Sequence, residues 1–384
     1  MRALLAGARR KQPRLLALTR ELVAAESPSD SKAAVDACVA LAAARAHELG
    51  GRVKLHRQRA FGDLLEARFR PARRPNSSPL RPILLLGHLD TVWPLGTLQS
   101  MPCRLGAGRL WGPGALDMKA GVAIALSALE LLVEAQLLER EIVLLLTSDE
   151  EVGSPVSRPL IERIAVGCAA VYVLEPAQGL AYKTARRGIG NWRIDVRGIA
   201  AHAGVDFAKG ASALREMARI IETVSGWTDL PRGLTVNAGV AGAGTKSNVV
   251  PAHAWVEVDV RFLRPADGAR IARKFATLKP PVLRLIDPRC AIAVSGGINR
   301  PPMERRSGTV RLYRQAKALA AELGFMLSEA STGGGSDGNF TAALGLPTLD
   351  GMGAVGEGAH AAHESILIEH LAPRTALLAG MLAS

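Results

Sequence analysis

Two histidines in glycine-rich contexts, His88 in GHLDT and His360 in GEGAHAAHE, and the acids Asp117, Glu150, Glu151 and Glu175 have types suited to holding a metal. Taken singly, each has an ordinary reading. A histidine after an apolar segment is a polar turn residue, and Asp117 in GPGALDMKAG is an acid satisfying free N–H groups at a helix start. Asp149, Glu150 and Glu151 differ, because three consecutive carboxylates after IVLLLTS repel one another unless a cation is close. Two imidazoles and three carboxylates, from His88, His360, Asp117, Glu151 and Glu175, fit zinc with positions left open for water and substrate. Cobalt or manganese would accept the same groups. Two metals about 3.5–4 Å apart can share one carboxylate and one water. If Asp117 is shared, each metal receives one histidine and one further acid. Asp90, two residues beyond His88, is placed to orient that imidazole from behind.

The elements that must deliver these residues can be read from hydropathy. PILLLGHLD (82–90), EIVLLLTSDEE (141–151) and VYVLEP (171–176) are buried strands that end in His, Asp and Glu, and KAGVAIALSALELLVEAQ (119–136) is a helix. Open α/β sheets place their sites beyond the carboxyl ends of strands, so three such ends form one candidate edge. Near residue 187 the pattern changes to alternating strands in GNWRIDVRG, LTVNAGVAG and HAWVEVDVRFLR, with helices near 210–226 and 266–278. An apolar strand expected near 281–286 completes a β-α-β-β-α-β order. That order suggests a small antiparallel sheet inserted between two halves of the first domain. The helix 309–324 and the strand LPTLD (346–350) return to the first style.

Composition narrows the function class. The 384 residues allow two domains, and 48% hydrophobic residues can bury substantial cores. The N-terminal 30 residues carry charges every few positions and read as an amphipathic helix rather than a secretory signal. No run approaches the roughly 18 apolar residues of a membrane span, so the cytoplasm is the expected location. Four isolated cysteines form no C-x-x-C pair. The net charge of +13 comes from dispersed basic residues without a nucleic-acid recognition motif, so no nucleic-acid partner is expected. The field could help collect anionic substrates.

GHLDTVWP, GPGALDMKAG, TSDEEVGS, LEP, AHAG, NVVPAHAWVEVDVR, GGGSDGNF and GEGAHAAHE occur in an order that resembles the family-20 zinc metallopeptidases. That family includes glutamate carboxypeptidase, acetylornithine deacetylase, succinyl-diaminopimelate desuccinylase and aminoacylase, and the likeness runs over nearly the whole chain. It implies a three-layer α/β zinc-exopeptidase-type catalytic domain (1–186 and 297–384) and an inserted α+β, ferredoxin-like dimerisation domain (187–296). It also implies two zinc ions per subunit: one on His88 and Glu175, the other on Glu151 and His360. Asp117 would be shared, with a cis peptide to Met118. Glu150 would be the general base, a role that suits a carboxylate adjacent to a metal ligand. His202 would stabilise the oxyanion from a partner subunit in a homodimer, and Asn248 and Arg261 would hold the substrate's free carboxylate. Gly334 and Gly335, in the GGGSDGN loop, would offer backbone N–H groups to an anion.

Relatives often carry an acid where this chain has His363, three residues after His360. The G-A-H context favours His360 as the ligand and leaves His363 at the rim. Motif details lean toward a carboxypeptidase releasing a C-terminal amino acid such as glutamate. The alternatives are an N-acyl-amino-acid deacylase with the same metals and, from another class, a binding protein that has lost catalysis. His47, His56, His253 and His370 are expected to be structural.

Overall fold

Successive side chains of Ile83–His88 point to opposite faces of a sheet, and both faces are covered. Ile83 and Leu85 enter one apolar cluster together with the helices Arg2–Ala24, Lys32–Glu48, Ala120–Glu134, Ser307–Glu322 and Leu371–Leu382. Leu84 and Leu86 enter a second cluster with Leu160, Ile161 and Phe340 from Arg158–Val166 and Gly338–Ala343. A strand buried on both sides has no polar face, which is why these segments read as continuous apolar runs. The structure, a computed structural model, describes residues 1–72, 80–279 and 283–384.

The chain divides into two compact units, 1–185 with 305–332 and 336–384, and 186–304 with 333–335. The first unit holds a six-stranded sheet in the order Arg52–His56, Leu64–Phe69, Ile142–Thr147, Ile83–His88, Ala170–Val173, Thr348–Leu349. The last four strands are mutually parallel, and the first two are antiparallel additions. Register places His88 opposite Thr147 and Leu86 opposite Val173. The segments following three adjacent parallel strands therefore leave the sheet at the same edge.

The second unit has the order β-α-β-β-α-β. Its strands Gly188–Arg197, Thr235–Ala243, His253–Phe262 and Ala291–Arg300 form an antiparallel sheet, with Gly188–Arg197 and His253–Phe262 in the middle. The helices Ala213–Ser225 and Pro265–Ala276 bury Met217, Ile220, Ile271 and Phe275 against Ile194, Val196, Val256 and Val258. The strand expected near 281–286 falls partly outside the described residues, and 283–286 are not a strand. The fourth strand is Ala291–Arg300 instead. As an edge strand of small residues, with Gly296 at φ 105° and a register shift between Ile298 and Arg300, it lacks the apolar alternation of its neighbours. Among the described residues no helix is long and apolar enough to cross a membrane.

Candidate metal centre

His88 ends the central strand and is 1% exposed. Its ring is held from behind: Nδ1 lies 2.9 Å from the Asp90 carbonyl oxygen, and the backbone N–H donates to Met118 Sδ at 3.3 Å. That leaves Nε2 pointing forward. Asp90 is fully buried and accepts from Ser29 Oγ (2.7 Å), from Glu151 N–H (3.1 Å) and from Glu150 N–H (3.3 Å). One carboxylate thus stands behind the imidazole and anchors the short Glu150–Val152 helix after the neighbouring strand. Burial pushes the Asp90 carboxyl up, but His88, Ser29 and the Glu151 N–H outweigh it and bring it below the usual carboxylate range.

Asp117 lies between the two histidines. Its Oδ1 is 3.3 Å from His88 Nε2 and its Oδ2 is 3.3 Å from His360 Nε2. Glu175 Oε1 lies 3.7 Å from His88 Nε2, and Glu151 Oε1 lies 3.2 Å from His360 Nε2. The peptide from Asp117 to Met118 is cis, in line with the resemblance. Ligand atoms of His88, Asp117 and Glu151 lie within 4.8 Å of one another, as do those of His88, Glu150 and Glu175. The sequence-predicted ligands and the predicted base therefore meet at one place. His360 is in neither group but approaches Asp117 and Glu151, and His363 is exposed.

His88 Nε2 and Asp117 Oδ1 face each other without hydrogen-bond geometry, and both buried atoms lack a hydrogen-bond partner. Orphaned buried polar atoms are rare and costly, and a divalent cation between them would satisfy both. The electrostatics point the same way. Hydrogen bonding to Asp117 and Glu151 lifts the His360 imidazole to about 10. Burial opposes charge on His88, yet Asp117 and Asp90 hold its imidazolium well above the usual histidine value. Burial carries Glu151 up to about 7, whereas Asp117, also buried, is drawn well below the carboxylate range by the two imidazoles. The acids demand positive charge, and a histidine and carboxylate donor set fits zinc.

Asp149 departs from the expectation that three neighbouring acids share a cation. Its Oδ2 accepts from the N–H groups of Val156 (2.7 Å) and Ser157 (3.2 Å), so it ties down the loop ahead of Arg158–Val166. Only Glu150 and Glu151 join the site.

The remaining predicted residues, apart from the loop's last positions, belong to the second unit. His202 and Asn248 are exposed and close in the chain pairing: Ala203 N–H donates to the Asn248 carbonyl at 2.9 Å, and His202 bridges Val249. His202 Nδ1 accepts from Gly204 N–H. The guanidinium of Arg261 is engaged by Asp259, at 2.8 Å from Nε and 2.9 Å from Nη2. Alternation along one strand places Asp259 on the same face two residues earlier, a partner the motif comparison did not include. In the glycine loop the carbonyl oxygens, too, are engaged. The carbonyls of Gly334 and Gly335 accept from Arg186 Nη1, and Gly333 O accepts from Arg261 Nη1. Ser336 N–H is taken by the Asn339 side chain and Gly338 N–H by Ser336 Oγ. Gly335 is needed for close approach, since a Cβ there would lie 2.5 Å from Ile189 Cδ1. His56 and His253 pair with Glu66 (2.7 Å) and Asp195 (2.9 Å), and neither belongs to the metal-ligating groups.

Sequence reasoning missed Glu364. It is fully buried and accepts four hydrogen bonds from Trp93, Gly114, Leu116 and Asp117. Its signal was an acid directly before the apolar strand Ser365–Leu367, but its partners lie about 250 residues earlier.

Residues 84–384 match the family model described as peptidase family M20/M25/M40. Carboxypeptidase G2 of Pseudomonas sp. (strain RS-16) is 32% identical over 282 residues, 72% of this chain and 67% of that protein. Succinyl-diaminopimelate desuccinylase of Delftia acidovorans is 29% identical over 324 residues, 79% and 81% of the two chains. The fold is shared with a solved Bacillus subtilis protein described as a dinuclear metal-binding peptidase of the M20 family, with a TM-score of 0.70 at 14% identity over 98% of each chain. The chain therefore belongs to peptidase family M20/M25/M40 and is a hydrolase of amide bonds.

Proposed function

We propose that the protein is a di-metal exopeptidase that cleaves an amide next to a free α-carboxylate and releases a C-terminal amino acid, glutamate being the first to test. The observation that carries the di-metal reading is Asp117, with one oxygen toward each imidazole. His88 and Glu175 would hold one zinc, and Glu151 and His360 the other. Bound there, two zinc ions would acidify a water and polarise the scissile carbonyl.

The chain's own residues supply the proton traffic. Glu150, adjacent to Glu151 and close to the His88 group, would take a proton from the attacking water as the new C–O bond forms. It would return that proton to the amine nitrogen as the C–N bond breaks. Asp90 orients His88 and holds the Glu150 and Glu151 N–H groups in place. His202 for the oxyanion, and Asn248 and Arg261 for the carboxylate, rest on the resemblance, as does a homodimer through 187–296. Arg261 would have to exchange part of its contact with Asp259 to bind a substrate.

The likeness to carboxypeptidase G2 supports the carboxypeptidase reading. A second reading, an N-acyl-amino-acid deacylase, is supported by the desuccinylase likeness over 79% of this chain. Hydrolysis of benzoyl- or folyl-glutamate by zinc-loaded protein, measured against N-acetyl and N-succinyl amino acids, separates the two. Faster turnover of the acylated set would replace the first reading with the second. Normal metal content with no hydrolysis of either set would favour a binding protein.

A further inference from the structure

The Glu364 carboxylate is surrounded by hydrogen-bond donors. Oε1 accepts from the N–H groups of Leu116 (2.8 Å) and Asp117 (3.0 Å), and Oε2 from Gly114 N–H (2.9 Å) and Trp93 Nε1 (2.8 Å). Four donors fill the lone-pair positions of an ionised carboxylate, and bonds of this kind are stronger than those between neutral groups. Trp93 follows His88 in the first motif, while Gly114, Leu116 and Asp117 form the turn that presents the shared acid. Gly114 takes a left-handed conformation there, at φ 71°. Glu364 lies four residues beyond His360, and its own carbonyl accepts from Gly112 N–H at 3.2 Å. Three segments, carrying His88, Asp117 and His360, are thus joined at one buried side chain that is itself in neither ligand group.

We infer that Glu364 is a positioning residue for the shared ligand: by fixing the Asp117 N–H and the turn before it against the His360 segment, it keeps one Asp117 oxygen toward each imidazole. The inference rests on the reading that Asp117 is shared by two metals. An acid that merely stabilised the turn would affect unfolding without affecting how metals are held.

The donor-only surroundings provide a discriminating substitution. Glu364→Gln keeps the shape, but whichever way the amide is turned, its NH2 faces two N–H donors. Titration calorimetry of the metal-free full chain with Zn2+, and the visible spectrum of the Co2+ form, give readouts separate from hydrolysis. E364Q is expected to weaken metal affinity about 10- to 100-fold and to alter the Co2+ spectrum. E364D, which keeps the charge, is expected to retain more affinity than E364Q. Wild-type affinity and an unchanged Co2+ spectrum in E364Q would overturn the inference, however far its stability in urea falls. If E364Q does not fold, Trp93→Phe removes one of the four donors and is expected to weaken binding roughly 3- to 10-fold; unaltered affinity there would count against it. A wild-type chain that takes up no divalent metal overturns the di-metal reading itself.

Discussion

Asp117 lies three residues before the helix Ala120–Glu134 and Glu130 lies near its far end, and the chain treats these two acids differently. Glu130, 3% exposed, meets Arg45 at 2.7 Å, Arg14 at 2.9 Å and Lys11 at 3.2 Å, three cations from the helices Lys32–Glu48 and Arg2–Ala24. Asp117 meets two imidazoles, and its Oδ1 is left without a hydrogen-bond partner. This protein neutralises a buried scaffold acid with its own arginine and lysine. Under the proposed di-metal reading, the counter-charge of an acid left facing histidines arrives from solution.

The comparison can be sharpened or broken experimentally. Glu150→Gln should lower kcat about 100- to 10,000-fold with metal content unchanged, separating the acid that moves a proton from those that hold charge. Loss of bound metal in that variant would place Glu150 among the ligands instead. Zn2+ at 100 times Kd should stabilise the wild type by about 2.7 kcal/mol per occupied site in urea unfolding. Asp117→Asn should abolish that gain, and an equal gain in both proteins would break the comparison.

Glu130→Gln should cost about 2 kcal/mol with or without Zn2+, because it removes one partner from charged hydrogen bonds the metal does not touch. The same acid predicts a pH effect. Burial pushes the Glu130 carboxyl up, but Arg45 and Lys11 more than compensate, so its value lies below the ordinary one. The folded state therefore binds this proton more weakly than the unfolded chain. The associated stability is present above the unfolded value of about 4.3 and is lost as pH falls through the lower folded value. E130Q should flatten the fall in Tm on acidification in this range, and a slope identical to wild type would refute that assignment. His363→Ala, at an exposed position outside both ligand groups, should change metal stoichiometry not at all and stability by less than about 0.5 kcal/mol.

The parallel strands and the candidate ligands at their ends were legible because burial on both faces leaves a plain apolar run, and His88, Glu151 and Glu175 interrupt or follow such runs. The Ala291–Arg300 strand was not legible, since an edge strand rich in small residues carries little pattern. Asp149 read as a member of the acid cluster because sequence shows adjacency and not direction, and in the structure its carboxylate turns to Val156 and Ser157. Long-range partnership is the other blind spot. Glu364 owes its role to N–H groups about 250 residues away, which leave no local trace.

His360 occupies a left-handed backbone conformation at φ 62°. Few side chains accept that region readily; asparagine, aspartate and histidine are the enriched non-glycine choices. The loop therefore admits a short list of residues by shape, and the proposed metal chemistry singles out one of them. An alanine exchange at this position mixes two effects, a missing imidazole and a residue type less favoured in the left-handed region. His360→Asn keeps the preferred geometry and removes only the ring, so it is the cleaner probe of what this side chain contributes.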